Sequence, residues 1–222
     1  MPLVLASASP RRHELLTQAG FTFHVHPAHI PEDPLPKEDP IAYVVRLARQ
    51  KAEAVFAQLS AGPNSDNPRI SGAPGLAFET WDSTNLDSTS LTVLGADTTV
   101  TIDNQILGKP ENAADAARML RLLSGRTHRV ITGVAVVTTT HTEVAAEVTG
   151  VRFLTLSEEE IAAYIATGEP MDKAGAYAIQ GRAARWIPRI TGDYFNVVGL
   201  PLALVTTILE SAAATTPKSL SS

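Results

Sequence analysis

The feature that most constrains the fold is the order of residue types between positions 3 and 20. An apolar run, Leu3–Ala6, leads through two serines and a proline into the adjacent arginines Arg11 and Arg12. Apolar residues then recur at helical spacing until Gly20, which is a typical residue just beyond a helix C-terminus. We therefore predict a strand that passes through small residues into a helix.

The same segment has the composition of a polyphosphate cradle. Small residues let a ligand approach the backbone, and a helix start presents free N–H groups with positive dipole character. Guanidinium groups donate paired hydrogen bonds to phosphate oxygens. We expect Ser7 and Arg12 to be phosphate-binding residues. An ordinary Ser/Pro helix start with two solvated arginines is the alternative, and the segment alone leaves both open.

Composition narrows the class of protein. The chain of 222 residues is 44% apolar and 18% charged, as expected of a soluble globular protein. A net charge of −5 and the lack of a long basic stripe argue against nucleic acid as a partner, although a nucleotide site needs only a few local cations. The chain has no cysteine, no signal-peptide pattern and no apolar run of ~20 residues. We expect a cytoplasmic protein without a membrane partner.

Strands and helices are mixed along the chain, which indicates an α/β or α+β fold with a central mixed sheet. The predicted strands are residues 21–26, 91–96, 98–102, 129–138, 142–156 and 185–190, and the predicted helices are residues 40–59, 112–123, 157–167 and 201–213. The first of these long helices is predicted to bury a stripe that leaves Lys51 largely outside it. The stripe comprises Ile41, Val44, Val45, Ala48, Ala52, Val55, Phe56 and Leu59.

Two segments lack a regular pattern. Residues 60–90 are rich in turn and disorder formers, and we interpret them as a flexible insertion, with a functional lid as the alternative. The Ser/Thr-rich tail, residues 214–222, is expected to be frayed. Residues 1–213 are then expected to form a single domain.

Three polar positions stand out beside the arginines. Asp97 follows Gly95 and Ala96 between two predicted strands, and ligand sites in α/β proteins favour strand ends. Lys109 lies between a glycine and a proline, and Gln180 belongs to a Gly-rich polar segment that also contains Lys173. Each has a plainer interpretation: Asp97 as a turn former, Lys109 as a surface lysine, and Gln180 as a satisfied core amide.

Together these residues form a complete set for metal-assisted phosphate hydrolysis. Glu32 and Asp97 supply carboxylates for a hard divalent cation such as Mg²⁺ or Mn²⁺. The cations available to phosphates are Arg11, Arg12, Lys51, Lys109 and Lys173. The chain has no Gly-x-x-x-x-Gly-Lys-Ser/Thr loop, so it is not a P-loop enzyme.

The chain resembles the Maf family of nucleotide pyrophosphatases in eight collinear blocks, which cover nearly all of it apart from residues 60–90 and the tail. The blocks are LASASPRRHELL (5–16), the loop at Glu32, YVVRLARQKA (43–52), GADTTV (95–100), ILGKP (106–110), MLRLLSGRTHRVITGVAV (119–136), TGEPMDKAGAYAIQG (167–181) and GDYFNVVGLPL (192–202).

The resemblance implies a fold and an activity. The implied fold is α/β and similar to inosine triphosphatases, with a mixed twisted β-sheet, flanking helices and two lobes around a cleft. The implied assembly is a homodimer, and the single domain is then a catalytic one. The implied reaction converts a nucleoside triphosphate to its monophosphate and pyrophosphate with a divalent metal cation. The implied role is the removal of unwanted nucleotides from the nucleotide pool, often called house-cleaning.

The resemblance also implies residue roles. Asp97 matches the catalytic acid group described as a proton acceptor, and Glu32 matches a loop carboxylate near the metal, although Pro31 stands where the family usually has an acidic residue. Arg12, Lys51, Lys109 and Lys173 match positions that face the phosphates, and Arg11, Thr98 and Gln180 match positions associated with substrate choice. Thr98 resembles the branch that acts on dTTP and UTP, since a sister branch that acts on methylated guanosine triphosphate has Gln there.

Two questions stay open at this level. Asp97 could orient and deprotonate the attacking water, or hold the metal that does so. The family was first associated with inhibition of septum formation, so a nucleotide-binding regulator of cell division with little turnover is the alternative function. The intact set of Asp97 and Glu32 favours the enzyme. A modified pyrimidine nucleotide is also an open possibility for the substrate.

Overall fold

The computed structural model describes residues 2–61 and 91–215. The predicted insertion therefore falls outside the described residues, except at its start, where Ser60 and Ala61 end a helix. The predicted frayed tail also lies outside them, except for its first two residues, which extend the last helix to Thr215. Within the described ranges, no helix is long and apolar enough to cross a membrane.

A seven-stranded mixed sheet forms the centre of the molecule. Its strands are β1 (Leu3–Leu5), β2 (Phe23–Val25), β3 (Thr92–Ile102), β4 (Gln105–Leu107), β5 (Thr127–Val137), β6 (Thr142–Arg152) and β7 (Arg189–Thr191). Their order is β2-β1-β3-β5-β6-β7, with β4 paired to β3. The pairs of β1 with β2 and β3 are parallel, and all other pairs are antiparallel. The predicted α/β fold with a mixed sheet is confirmed, and the sheet is open.

Within the described residues six α-helices accompany the sheet, and side chains cap the starts of several of them. They are α1 (Pro10–Gln18), α2 (Pro40–Ser60), α3 (Ala113–Leu123), α4 (Glu158–Ile165), α5 (Tyr194–Val198) and α6 (Leu202–Thr215). The Asp39 and Asn112 side chains accept backbone N–H groups of the first turns of α2 and α3. Ser157 and Glu160 form a capping box at the start of α4, which satisfies N–H groups that a helix start leaves unpaired.

The helices cover both faces of the sheet and one end of it. α2 packs Ala48, Ala52 and Val55 against one face, whereas α1 and α6 pack against the other. A separate cluster joins α3 and α4 to the far ends of β3 and β5 and to three 3₁₀ turns. These turns are Glu169–Asp172, Ala174–Ala176 and Arg182–Trp186. A cleft lies where the α1/α6 cluster and the α3/α4 cluster meet along β3.

Three predictions about elements were wrong. The strands predicted on either side of Asp97 are one continuous strand, β3, in which Asp97 is the sixth of 11 residues. The strand predicted at 185–190 is divided: Arg185 and Trp186 end a 3₁₀ turn, and only Arg189 and Ile190 belong to the short strand β7 that pairs with β6. The strand predicted at 21–26 is reduced to Phe23–Val25, with three half-buried residues rather than one buried face.

The predicted stripe of α2 is rotated in the structure. Ile41 is exposed, whereas Tyr43, Leu47 and Lys51 are buried. The long Lys51 side chain can lie along the packed face and still carry its ammonium to the edge of the sheet, which a hydrophobicity pattern does not register.

Two glycines let α2 approach the sheet closely. A Cβ at Gly95 of β3 would lie 2.1 Å from the carbonyl oxygen of Ala48, and a Cβ at Gly133 of β5 would lie 2.3 Å from that of Val44. Real Cβ atoms do not make such contacts, so any larger residue would force the helix outward. The two glycines therefore set how near the α2 side chains come to β3.

Candidate active site

A gap in the sheet exposes the middle of β3. β1 pairs with Thr92–Leu94 and β4 pairs with Val100–Ile102, both on the edge of β3 opposite β5. Between them, residues 95–99 pair with β5 on one side, and Asp97, Thr98 and Thr99 line a cleft. The predicted position of Asp97 at a strand end was wrong, because Asp97 lies in the middle of β3. The gap nevertheless exposes its side chain to the cleft.

The cleft is a cavity of about 770 Å³, lined by residues of the β1–α1 segment, α2, β3, α5 and the loops around Lys109 and Lys173. One end is charged, and the other has an apolar wall formed by Val130, Tyr177, Ala178, Ile179, Val197 and Val198. All ten residues predicted to act in the site line this single cavity. They are Ser7, Arg11, Arg12, Glu32, Lys51, Asp97, Thr98, Lys109, Lys173 and Gln180.

Lys51 bridges the two carboxylates of the charged end. Its Nζ lies 2.6 Å from Asp97 Oδ1 and 2.6 Å from Glu32 Oε1. The side chains of Lys51 and Asp97 are only 9% and 10% exposed, whereas that of Glu32 is 53% exposed. The Glu32 loop is held by Tyr43, which donates from its hydroxyl to the Glu32 carbonyl oxygen at 2.9 Å. Neither Tyr43 nor its role was predicted from the sequence.

The surroundings shift the two carboxylates in opposite directions. Burial raises the pKa of Asp97, and the opposing charges of Lys51 and Arg12 do not fully offset it. Burial also acts to raise the pKa of Glu32, but the hydrogen bond and charge of Lys51, aided by Lys109 and Arg12, lower it overall. Asp97 is therefore the better proton acceptor of the pair, because a carboxylate with a raised pKa holds a proton more strongly.

Arg12 is held almost entirely by the protein. Its Nε donates to the Gly199 carbonyl oxygen at 2.9 Å, its Nη1 to the Ala96 carbonyl oxygen at 2.9 Å and to Ser7 Oγ at 3.1 Å, and its Nη2 to Thr98 Oγ1 at 3.0 Å. Four of its five N–H bonds thus have partners in the part of the chain that the structure describes, which leaves one for a phosphate oxygen.

The remaining predicted residues surround this centre. Lys109 and Gln180 are exposed, and Arg11 and Lys173 are half-buried. The backbone N–H of Gly175 donates to the Gly108 carbonyl oxygen at 3.0 Å, which joins the Lys109 and Lys173 loops. Gly175 has a φ of +68°, and a Cβ there would lie 2.8 Å from Val100. A glycine is therefore required for the Lys173 loop to dock on β3.

The carboxylate pair fits a hard divalent cation. Both carboxylates contact the same ammonium at 2.6 Å, so the two contacting oxygens lie no more than twice that distance apart. Carboxylate oxygens are the ligands that Mg²⁺ and Mn²⁺ prefer. Among the described residues, no group of three or more His, Cys, Asp or Glu could hold a metal ion. A cation here would therefore take further oxygens from a phosphate ligand or water.

The fold and this cavity define an α/β protein with a cleft suited to a charged phosphate compound that also has an apolar part. A sequence model of the family described as Maf-like protein matches residues 2–212. The chain therefore belongs to the Maf family, as its sequence motifs indicated.

Curated relatives match along nearly their whole length. The protein of Koribacter versatilis is 49% identical over 96% of this chain and 95% of its own. That of Geobacter metallireducens is 47% identical over 96% of both chains, and that of Bacillus pumilus is 43% identical over 94% of this chain and 95% of its own. Each of the three is named dTTP/UTP pyrophosphatase.

Proposed function

We propose that this protein hydrolyses dTTP and UTP, including modified forms of these nucleotides, to the nucleoside monophosphate and pyrophosphate. The observation that carries the proposal is the pair Asp97 and Glu32, bridged by Lys51 at 2.6 Å on each side, in the gap of β3. The names of the relatives, which match nearly the full length of the chain, support this choice of substrate.

The two ends of the cavity suit the two parts of a nucleotide. The cations of the charged end are suited to a triphosphate, because ammonium and guanidinium groups pair with phosphate oxygens. The apolar wall that includes Tyr177 and Val198 is suited to a flat base. The Gln180 amide, at the edge of that wall, offers one donor and one acceptor to the carbonyl–imide–carbonyl edge of thymine or uracil.

Asp97 is the residue that we assign to the proton transfer. A water oxygen attacks the α-phosphorus, the bond from that phosphorus to the bridging oxygen of the β-phosphate breaks, and pyrophosphate leaves. The proton of the attacking water passes to the Asp97 carboxylate, whose pKa is raised by burial. Lys51 holds the Asp97 side chain in place, and Lys109 and Lys173 stabilise the charge on the phosphates.

Glu32 and Asp97 are the residues that we expect to hold a divalent cation. When bound, Mg²⁺ or Mn²⁺ neutralises charge on the triphosphate and so favours attack by water. The Asp97 carboxylate has two oxygens, and because Oδ1 contacts Lys51, Oδ2 is the oxygen that we expect to bind the cation.

The wider setting forms part of the proposal. We place the reaction in a single catalytic domain of residues 1–213, in a homodimer and in the cytoplasm, with neither nucleic acid nor membrane as a partner. The role is to remove unwanted pyrimidine triphosphates from the nucleotide pool.

A panel of normal and modified nucleoside triphosphates tests the proposal. The purified protein should release pyrophosphate from dTTP and UTP in the presence of Mg²⁺ or Mn²⁺, and a chelator should abolish the release. Nucleotide binding without pyrophosphate release from any member of the panel would instead support the regulator of septum formation and cell division.

A further inference from the structure

A buried hydrogen-bond network links α5 to the charged end of the cavity. Thr98 Oγ1 accepts from Arg12 at 3.0 Å and lies 2.9 Å from Thr132 Oγ1. Thr132 Oγ1 donates to the Asn196 carbonyl oxygen at 3.1 Å. Each hydroxyl has one proton, so while Thr132 donates to Asn196, its contact with Thr98 requires Thr98 to donate.

The far end of the network is anchored by the Asn196 side chain. Its Nδ2 donates to the Val130 carbonyl oxygen at 3.0 Å and to Thr149 Oγ1 at 2.9 Å. Thr149 Oγ1 in turn donates to the Asp193 carbonyl oxygen at 2.9 Å. Thr132, Thr149 and Asn196 are all fully buried, and none of them lines the cavity.

The network satisfies carbonyl groups that a short helix leaves unpaired. The last carbonyls of any helix have no partner within it, and α5 has only five residues. The Thr132 hydroxyl donates to the Asn196 carbonyl, and Arg12 Nε donates to the Gly199 carbonyl at 2.9 Å. The C-terminal end of α5 is therefore fixed to β5 and to Arg12 by side-chain hydrogen bonds, in addition to the backbone hydrogen bonds from Gly199 and Leu200 to the Phe195 carbonyl.

We propose that Thr132 and Asn196 are positioning residues that hold the α5 side of the cavity at a set distance from Arg12 and Asp97, and so determine which pyrimidine base is accepted. Val197 and Val198, which belong to the apolar wall, directly follow Asn196. The inference rests on the proposed function. It also assigns Thr98 an indirect part in substrate choice, because its hydroxyl accepts from Arg12 and its single proton has Thr132 and the Gly199 carbonyl as acceptors.

Catalysis depends on the alignment of the nucleotide within the cavity. A nucleotide must contact the apolar wall with its base while its α-phosphorus lies beside Asp97. Displacements of about 1 Å can cost on the order of 100-fold in rate. Loosening α5 removes the fixed geometry that distinguishes thymine from cytosine, whereas Arg12 Nη1 remains held by Ser7 and the Ala96 carbonyl.

The test compares three threonine variants of the full chain. Thr132→Val keeps the side-chain shape and removes the hydroxyl, and Thr132→Ser restores the hydroxyl. Thr101→Val is the matched control, because Thr101 is a fully buried β3 residue whose hydroxyl has no partner within the described part of the chain. The measured quantities are the ratio of kcat/KM for dTTP to that for dCTP, inhibition by tripolyphosphate, and the melting temperature.

We expect the dTTP/dCTP ratio to fall about tenfold in Thr132→Val, the size of one mismatched buried polar group, and to be retained in Thr132→Ser and Thr101→Val. Tripolyphosphate has no base, so its inhibition should be unchanged in all three. Thr149→Val removes the hydroxyl that accepts from Asn196 Nδ2, and it should also lower the dTTP/dCTP ratio. It also serves as the test if Thr132→Val does not fold.

The outcomes distinguish failure of the positioning role from failure of the proposed function. An unchanged ratio in a folded Thr132→Val or Thr149→Val, or an equal fall in Thr101→Val, would overturn the positioning role alone. Absence of pyrophosphate release by the unmodified protein from every nucleotide tested would overturn the proposed function, and the inference with it.

Discussion

Replacing Gly95 with alanine should separate the helix that carries Lys51 from the strand that carries Asp97. The new Cβ would lie 2.1 Å from the Ala48 carbonyl oxygen, against an ordinary contact of at least 3.4 Å. The difference of about 1.3 Å must come from movement of α2 or β3, because backbone atoms form both sides of the contact. Lys51 lies one turn beyond Ala48 on the same helix and should move with it.

This movement should lower both the unfolding free energy and the catalytic activity. Overpacking of a well-filled core costs about 1–3 kcal/mol of unfolding free energy. A misplacement of about 1 Å in the Lys51–Asp97 contact, now 2.6 Å, can reduce kcat/KM on the order of 100-fold. The loss of activity should therefore exceed the loss of stability, and it should persist at temperatures where the variant is fully folded.

The assay combines urea unfolding with initial rates of pyrophosphate release from dTTP. Gly150→Ala is the matched control, because Gly150 is also a strand glycine and a Cβ there would meet its nearest neighbour at an ordinary 3.8 Å. Its stability and activity should be close to those of the unmodified protein. If Gly95→Ala matched the unmodified protein in both measurements, the close approach of α2 would not position Lys51, and the reasoning would be refuted.

Three further predictions concern individual side chains. Asp97→Asn should lower kcat by about 10²–10⁴-fold with little change in melting temperature, and near-normal turnover would move the proton transfer to another group. Burial lowers the pKa of His128 to about 3, so protons bind the unfolded chain first and the unfolding free energy should fall as the pH drops below about 6.5, by about 2 kcal/mol at pH 5. His128→Gln should flatten that slope in urea unfolding, and an unchanged slope would contradict the assignment. Gln180→Ala should reduce the preference for dTTP over dCTP, whereas Lys109→Ala should weaken both alike; equal losses in Gln180→Ala would make Gln180 structural.

Much of the fold could be predicted because local signals and tertiary structure agree. Asp39, Asn112 and the Ser157–Glu160 pair mark helix starts by hydrogen bonds that form within a few residues, so they can be identified in the sequence alone. The 185–190 segment was misassigned because a 3₁₀ turn ends within it and a short strand begins within it, and a few apolar residues do not distinguish the two.

The site residues could be identified individually, but their arrangement could not. Asp97 was assigned to a strand end because it follows an apolar run and because ligand sites in α/β proteins favour strand ends. The gap that exposes it depends on where β1 ends and β4 begins. Lys51 was placed off the packed face because hydropathy treats a lysine as polar along its whole length. The contribution of Thr132 was missed, since nothing in the sequence indicates that its partner is a carbonyl 64 positions away.

The most direct test of the central claim is the position of ¹⁸O after dTTP hydrolysis in H₂¹⁸O with Mg²⁺. Attack at the α-phosphorus predicts dTMP that carries the label and unlabelled pyrophosphate. Labelled pyrophosphate with unlabelled dTMP would mean attack at the β-phosphorus. The appearance of dTDP and labelled orthophosphate would mean attack at the γ-phosphorus, and either result would contradict the account.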